Sequence, residues 1–389
     1  MKGTVRSDKT LLWTTLLLVL VGMVTVYTAS AHIAETNFGG SEVFLRRNAV
    51  RAVLGFAAMA IAYAVDYRSY RKHAKKAILL AICLLIATLL FGKTIRGARH
   101  TLLLIQPGEI AKLALVFYLA DVLARRKDEL RDFRWGLLPR LVVVGIVVGL
   151  IMLQPDFGNA LAVVLVSLTI LFVGGARLLH LGGLGAVGVA IAWFGATRVS
   201  HIAERFGVWL SSFRCSLEAL DTRGAGYQIY QSLVALGSGG VVGRGIGESV
   251  QRSFIPDAYT DFAFSIWGEE RGLIGTMAVV GLFALLMVRG LRIARRTGDL
   301  YGSILASGLT VMITAYAIIN VAVATASMPI TGLPLPFVSY GGSSLIINMA
   351  AVGMLLNMSK RVVLEATPGA EPAVRGRRAL EAAAAGGRT

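Results

Sequence analysis

An all-α polytopic membrane protein with about ten transmembrane helices is the fold class the sequence predicts, and three observations lead there. Of 389 residues, 56% are apolar and 16% are charged, against about 45–50% and about 25% in soluble domains. The apolar residues gather in runs of about 20, the length that crosses a hydrocarbon core. The basic residues behind the formal charge of +17 fall in short clusters between those runs, as membrane topology signals do. An ordinary soluble enzyme is excluded, and nucleic acid is not an expected partner.

In chain order, Lys2, Arg6 and Lys9 precede an apolar run from Leu11 to Ser30 that is longer than a signal-peptide core and lacks a convincing cleavage site. It reads as a retained first helix. Further spans are expected at 48–65, 77–92, 108–124, 137–154, 158–174, 181–198, 261–288, 302–325 and 338–358. An even number of spans puts both termini on one side. Short cytoplasmic loops collect Lys and Arg, and three clusters alternate correctly with the basic N-terminus: Arg68 to Lys76, Arg125 to Arg134 and Arg289 to Arg296. Both termini are therefore expected in the cytoplasm. Arg46 and Arg47, then Lys93, Arg96 and Arg99, face outside in this arrangement, where they can be structural or can meet an anionic ligand.

Between spans seven and eight, residues 199–260 form an extracytoplasmic segment far longer than common loops. Phe206, Trp209, Phe213, Tyr227 and Tyr230 argue that it folds against the membrane face. Residues 1–361 thus form one transmembrane domain. Residues 362–389, rich in Ala, Gly, Pro and Arg, cannot bury a core and are expected to be a disordered cytoplasmic tail.

Ionisable groups in or at the ends of membrane spans are expensive, so each is a site hypothesis with structural pairing as its rival. Glu109 and Lys112, at the outer start of span four after Gln106-Pro107-Gly108, are three residues apart and can pair on one helix face. Gln154-Pro155-Asp156 forms a tight turn in which Asp156 either caps span six or serves a site. Asp261 enters span eight, followed on the same face by Ser265 and Gly268, an arrangement that suits a cavity wall, and then by Glu269 and Glu270; capping is again the alternative. Residues 332–344, with Pro334, Pro336, Ser339, Tyr340, Gly341, Gly342 and Ser343, read as a rigid turn into a small-residue helix start. Such residues permit close helix packing or a backbone approach to phosphate. All four places fall on the outer side, which predicts one outward-facing polar site. The glycines from Gly237 to Gly247 lack the context of a nucleotide loop. The five histidines show no metal spacing, and Cys83 and Cys215 read as packing residues.

On these residues the sequence resembles the SEDS family of bacterial cell-wall polymerases. The segments carrying the resemblance are Gln154-Pro155-Asp156, Gly226-Tyr227-Gln228 with Gln231-Ser232-Leu233, Gly237-Ser238-Gly239-Gly240, Thr260-Asp261-Phe262, Gly268-Glu269-Glu270 and Pro334 to Ser344. Together they span almost everything from Leu11 to Arg361. Tyr27 to Ala31, Gly247 to Gln251 and Gly268-Glu269-Glu270 look more like the division branch, FtsW, than the elongation branch, RodA. Gly108, where the family has Ser, and Thr101, where it has Trp, depart from its pattern.

The resemblance implies a peptidoglycan glycosyltransferase that polymerises lipid II, an undecaprenyl-pyrophosphate-linked disaccharide-pentapeptide, at the outer face of the cytoplasmic membrane. It implies a class B penicillin-binding protein and other divisome proteins as partners, besides membrane lipid. The family's essential aspartate maps onto Asp261, and a second sensitive aspartate onto Asp156. The chemistry fits independently, since the attacking sugar hydroxyl needs a general base such as the Asp261 carboxylate. The departing pyrophosphate needs positive charge, for which Lys112, Arg99 and Arg205 are candidates and a divalent cation, Mg or Mn, could serve instead. Gln154, Glu109, Glu269, Ser339, Tyr340 and Ser343 complete the candidate substrate-binding set. A lipid II flippase, a RodA-type elongation polymerase and a divisome scaffold are the rival functions.

Overall fold

The computed structural model describes residues 7–95, 98–101, 106–125, 132–186, 188, 200–212 and 224–365. Its helices are α1 (Lys9–Phe38), α2 (Val43–Ala64), α3 (Tyr67–Phe91), α4 (Pro107–Arg125), α5 (Leu138–Met152), α6 (Phe157–Val173), α7 (178–186), α8 (Ser200–Ser212), α9 (Gly224–Ser238), α10 (Ala263–Arg296), α11 (Leu300–Ala324) and α12 (Gly342–Glu365). A two-stranded antiparallel hairpin, β1 (Lys93–Ile95) with β2 (Ala98–Thr101), joins α3 to α4 where the sequence suggested only a loop. Among the described residues it is the sole departure from an all-α chain. Six segments are long and apolar enough to cross a membrane, counting the π-turn Phe133–Leu137 with α5, and α6 is a shorter apolar helix.

That number falls short of the ten expected, for identifiable reasons. α2 and α4 have 22 and 19 residues, long enough to span, but Arg46, Arg47 and Arg51 in one and Glu109, Lys112 and Asp121 in the other dilute their apolar character. The expected span 181–198 lies mostly outside the described residues. The basic clusters also sit on helices rather than in loops, Arg68 to Lys76 on the opening turns of α3 and Arg289 to Arg296 on the closing turns of α10. α12 runs through 362–365, which the sequence assigned to the tail; residues 366–389 lie outside the described ones.

The helices are started by ordinary chemistry. Asp8, Asp66, Asp156 and Asp299 cap α1, α3, α6 and α11 by accepting from backbone N–H groups of the first turn, each cap being worth about 1 kcal/mol. α11 is the central helix, with 83% of its most apolar window buried. α2 and α12 meet where glycine lets backbones touch: a Cβ at Gly353 would lie 2.3 Å from Met59 O, and one at Gly55 would lie 2.4 Å from Met349 Sδ. Such close approach is how helices associate where lipid offers no hydrophobic contrast.

Ion pairs tie one end of the bundle. Asp8 meets Arg289 at 2.8 Å, Asp121 meets Arg71 at 2.9 Å and Arg125 at 2.7 Å, and Asp8 N donates to Ser359 Oγ. These contacts gather the start of α1, the Arg68 to Lys76 turns, the end of α4 and the ends of α10 and α12 at a single end, as the alternation of basic clusters required. At the opposite end, α8, α9 and residues 250–262 fold down onto the bundle, where Val208, Ile229, Ile255, Tyr259 and Phe262 pack with Val26 of α1, Phe44 of α2 and Ile319 of α11. Of the aromatics expected to fold inward, Tyr230 packs partly buried on this cluster, Phe206, Trp209 and Tyr227 are half-buried, and Phe213 lies outside the described residues. Cys83 is the exception among the packing assignments, because it is exposed on the outside of α3; Cys215 lies outside the described residues.

Candidate functional site

Asp261 stands just before α10 and does not cap it. Phe262 holds the cap position, without a side-chain cap bond. The peptide of Asp261 is instead fixed from α11, where Asn320 Nδ2 donates to Asp261 O at 2.8 Å and to Leu333 O at 2.7 Å. One amide therefore locks the entrance of α10 to the connection between α11 and α12. A Cβ on Gly332, whose φ is +72°, would lie 3.8 Å from Asp261 Oδ2, so the carboxylate lies against a backbone that carries no side chain. The neighbouring Thr331 O lies 2.3 Å from where a Cβ on Gly158 would be, two residues beyond Asp156. The short stretch 331–332 is thus flanked by the start of α6 with Asp156 on one side and by Asp261 on the other.

Asp156 does cap α6. Its Oδ1 accepts from Asn159 N at 3.2 Å, and its Oδ2 accepts from Asn159 Nδ2 at 2.6 Å. Asn159 Oδ1 accepts from Tyr316 OH at 2.6 Å. The Tyr316 ring carries Lys112 Nζ 3.5 Å from its centroid, and Lys112 donates to Glu109 Oε1 at 2.7 Å, with both partners almost wholly buried. A continuous polar chain therefore runs from Glu109 through Lys112, Tyr316 and Asn159 to Asp156. A charged pair this deep is stable only while both members are present. Lys112→Met should lower stability in detergent by about 3–5 kcal/mol, and Glu109→Gln added to it should restore most of the loss. Equal thermal unfolding of the single and double variants would show that the two are not coupled.

Several expected ligands turn out to hold the fold. Gln154 Nε2 donates to Leu85 O of α3 at 3.1 Å. Ser339 Oγ accepts from Leu335 N, and Ser343 Oγ accepts from Gln106 N. Arg205 Nη1 donates to Ile330 O at 3.1 Å, which pins α8 to the connection beside Asp261. Ser265 does not share a cavity wall with Asp261; it meets Ser232 Oγ at 2.6 Å, and Ser232 donates to Ala324 O. A Cβ on Gly268 would lie 2.5 Å from Leu236, so this face of α10 is the seam against α9. Arg99 belongs to β2, with its side chain outside the described positions.

Glu269 departs furthest from a ligand's role. It is fully buried and accepts from Ser249 Oγ at 2.6 Å, Gln251 N at 3.1 Å, Val250 N at 3.2 Å and Ser238 Oγ at 3.3 Å, with Arg244 at 3.6 Å. Glu270 accepts from Gly247 N and Thr28 Oγ1. Gly272, at φ +63° and ψ −162°, breaks α10 here. The glycine segment supplies the lost bonds, because Leu273 N and Ile274 N donate to Gly240 O and Val241 O, while Arg244 N and Gly245 N donate to the carbonyls of Glu269 and Glu270. The glycines are needed for contact, since a Cβ on Gly243 would lie 2.2 Å from Glu270 O.

Tyr340, by contrast, faces the site region. Its N donates to Tyr259 O, two residues before Asp261, and its ring packs edge-on to Tyr259 and Phe44. Tyr316, Asn159 and Asn320 were not anticipated. An ionisable-residue filter passes over neutral polar side chains, although Tyr316 and Asn320 stand four apart on the most buried apolar helix. Among the described residues, no three of His, Cys, Asp or Glu converge as metal ligands would.

The apolar helices, tied by ion pairs at one end and holding recessed aspartates at the other, define a multi-pass helical membrane protein. The chain belongs to the FtsW, RodA and SpoVE family of cell cycle proteins, whose family model matches residues 9–363. It is 37% identical over 366 residues to a probable peptidoglycan glycosyltransferase FtsW of Geobacter sulfurreducens, covering 92% of this chain and 96% of the relative. It is 38% identical to the stage V sporulation protein E of Bacillus subtilis, covering 91% and 97%. A solved chain described under structural coordination of polymerization and crosslinking by a peptidoglycan synthase complex is similar at TM-score 0.74 and 30% identity, covering 92% and 98%. The rod shape determining protein RodA of Thermus thermophilus is similar at TM-score 0.67 and 28% identity, covering 91% and 97%.

Proposed function

We propose that this protein is a peptidoglycan glycosyltransferase that polymerises lipid II, with Asp261 as general base. The observation that carries the reading is the placement of Asp261: an aspartate at the recessed polar end, held through its peptide by Asn320 and with its carboxylate against the side-chain-free Gly332. The base takes the proton of the acceptor sugar hydroxyl as that oxygen attacks the anomeric carbon of the donor. The bond to the lipid pyrophosphate breaks, and the leaving group carries the charge away. Asp156, oriented by Asn159, lies across the 331–332 backbone and suits a substrate contact. The family, the relatives' names and the match to a synthase complex support the same chemistry.

On this reading the protein works in the cytoplasmic membrane, with the Asp261 end outward and both termini inward, which the basic clusters at the end opposite Asp261 support. The FtsW-named relatives favour a role in division, beside a class B penicillin-binding protein that crosslinks the product and with other divisome proteins. A flippase would need its polar groups near the bilayer midplane and an inward route, whereas the groups here collect at one end. Labelled lipid II incubated with the purified protein should give little polymer alone and several-fold more with its partner penicillin-binding protein, through a shift toward a competent state. Absence of polymer with every partner, together with lipid II translocation in vesicles, would replace the polymerase reading with the flippase.

A further inference from the structure

Polymerisation leaves a charged pyrophosphate at this end of the bundle, yet most of the cations there are already engaged. Lys112 is held by Glu109 and Tyr316, Arg205 by Ile330 O, Arg252 by Thr28 O and Arg244 by Glu269. Arg51 differs from all of them. It lies two turns into α2 among Val50, Ala52, Val53 and Leu54, where a charge is costly and calls for a partner. Among the described residues no carboxylate lies within ion-pair distance of it, and its Nη1 is sheltered without a hydrogen-bond acceptor.

The guanidinium is nevertheless held in place. Its centre lies 4.3 Å over the Tyr340 ring. A Cβ on Gly342 would stand 3.7 Å from Cζ and Nη2 and 3.8 Å from Nε, so the fork is positioned by an aromatic face and by the side-chain-free opening of α12. Asn48, three residues earlier and therefore on the same face of α2, is 2% exposed. Its Oδ1 has no partner, and its Nδ2 meets only Met23 Sδ at 3.5 Å. Phe44 packs against both Tyr259 and Tyr340, which links this face to the segment leading into Asp261. A stacked, uncompensated arginine is suited to the paired oxygens of a phosphate group.

We propose that Arg51, held against the Tyr340 ring, is the binding residue for the pyrophosphate of the lipid-linked substrate, a proposal that rests on the polymerase reading above. Binding of fluorescent lipid II and steady-state polymerisation with the partner penicillin-binding protein test it in the full-length protein. Arg51→Met should raise Kd and KM by roughly tenfold to a hundredfold while kcat stays within about threefold, the range of one or two lost charge-assisted bonds. Arg51→Lys, which keeps the charge and loses the fork, should fall between Arg51→Met and wild type. Undecaprenyl pyrophosphate should compete less well against Arg51→Met in the same proportion, and undecaprenol equally against both.

If Arg51→Met does not fold, Arg51→Gln carries the same comparison. Unchanged lipid II affinity in the uncharged variant overturns the proposal. So does competition by phosphatidylglycerol as strong as that by undecaprenyl pyrophosphate, which would make this a general lipid headgroup site. Failure of the wild-type protein to bind or polymerise lipid II sinks the polymerase reading itself, and an effect confined to Arg51 variants does not.

Discussion

Asp261→Asn should reduce lipid II polymerisation by roughly a hundredfold to ten-thousandfold, the range removed with a general base, while expression, thermal unfolding and partner co-purification stay near wild type. The separation is expected because Asn keeps the size and most of the hydrogen-bonding capacity of Asp, and because Asn320 grips the backbone carbonyl of Asp261, which the substitution leaves intact. Asp156→Asn differs in kind: it weakens a real cap and the Asn159 contact, so it should lower stability by about 1 kcal/mol besides any effect on turnover. Polymerisation within about threefold of wild type in Asp261→Asn would refute the base assignment and move it to Asp156.

The largest effect on folding is expected at Glu269. Glu269→Ala leaves two backbone N–H groups and the Ser249 hydroxyl without their acceptor, Ser238 keeping Ala235 O, and each unmet buried donor costs about 1–3 kcal/mol. A summed loss of more than about 4 kcal/mol should appear as failed expression or a collapsed thermal transition. Glu269→Gln keeps one acceptor oxygen and presents an amide to the remaining donors, so it should be intermediate. The glycine segment from Gly239 to Gly247 should become protease-sensitive in parallel, because its carbonyls and N–H groups replace the helical bonds lost at Gly272. A Glu269→Ala protein with wild-type thermal unfolding and a raised KM for lipid II would instead make Glu269 the substrate ligand first expected from its place in the motif.

These two carboxylates, eight residues apart, show where sequence reading stops. Both lie in segments that resemble one family, and both are ionisable groups at a membrane end, so composition and motif treat them alike. What separates them is the neighbour each acquires. Glu269 is enclosed by a glycine segment about 20–30 residues earlier in the chain, and Asp261 lies against Gly332, about 70 residues later. The pairing of Glu109 with Lys112 was legible because it is local, three residues on one helix face. The continuation from Lys112 through Tyr316 and Asn159 to Asp156 was not, because it joins α4, α11 and α6, and such contacts leave no periodic trace.

The sequence by itself determined the multi-pass helical class, the family and the collection of polar groups at one end. Each follows from composition, from runs of membrane length or from motifs read along the chain, properties set by residues near one another in sequence. Only the tertiary structure decided which polar side chains are taken up in holding the fold. A side chain's role depends on whether its hydrogen-bonding capacity is already met, and in a bundle those partners come from helices distant in sequence.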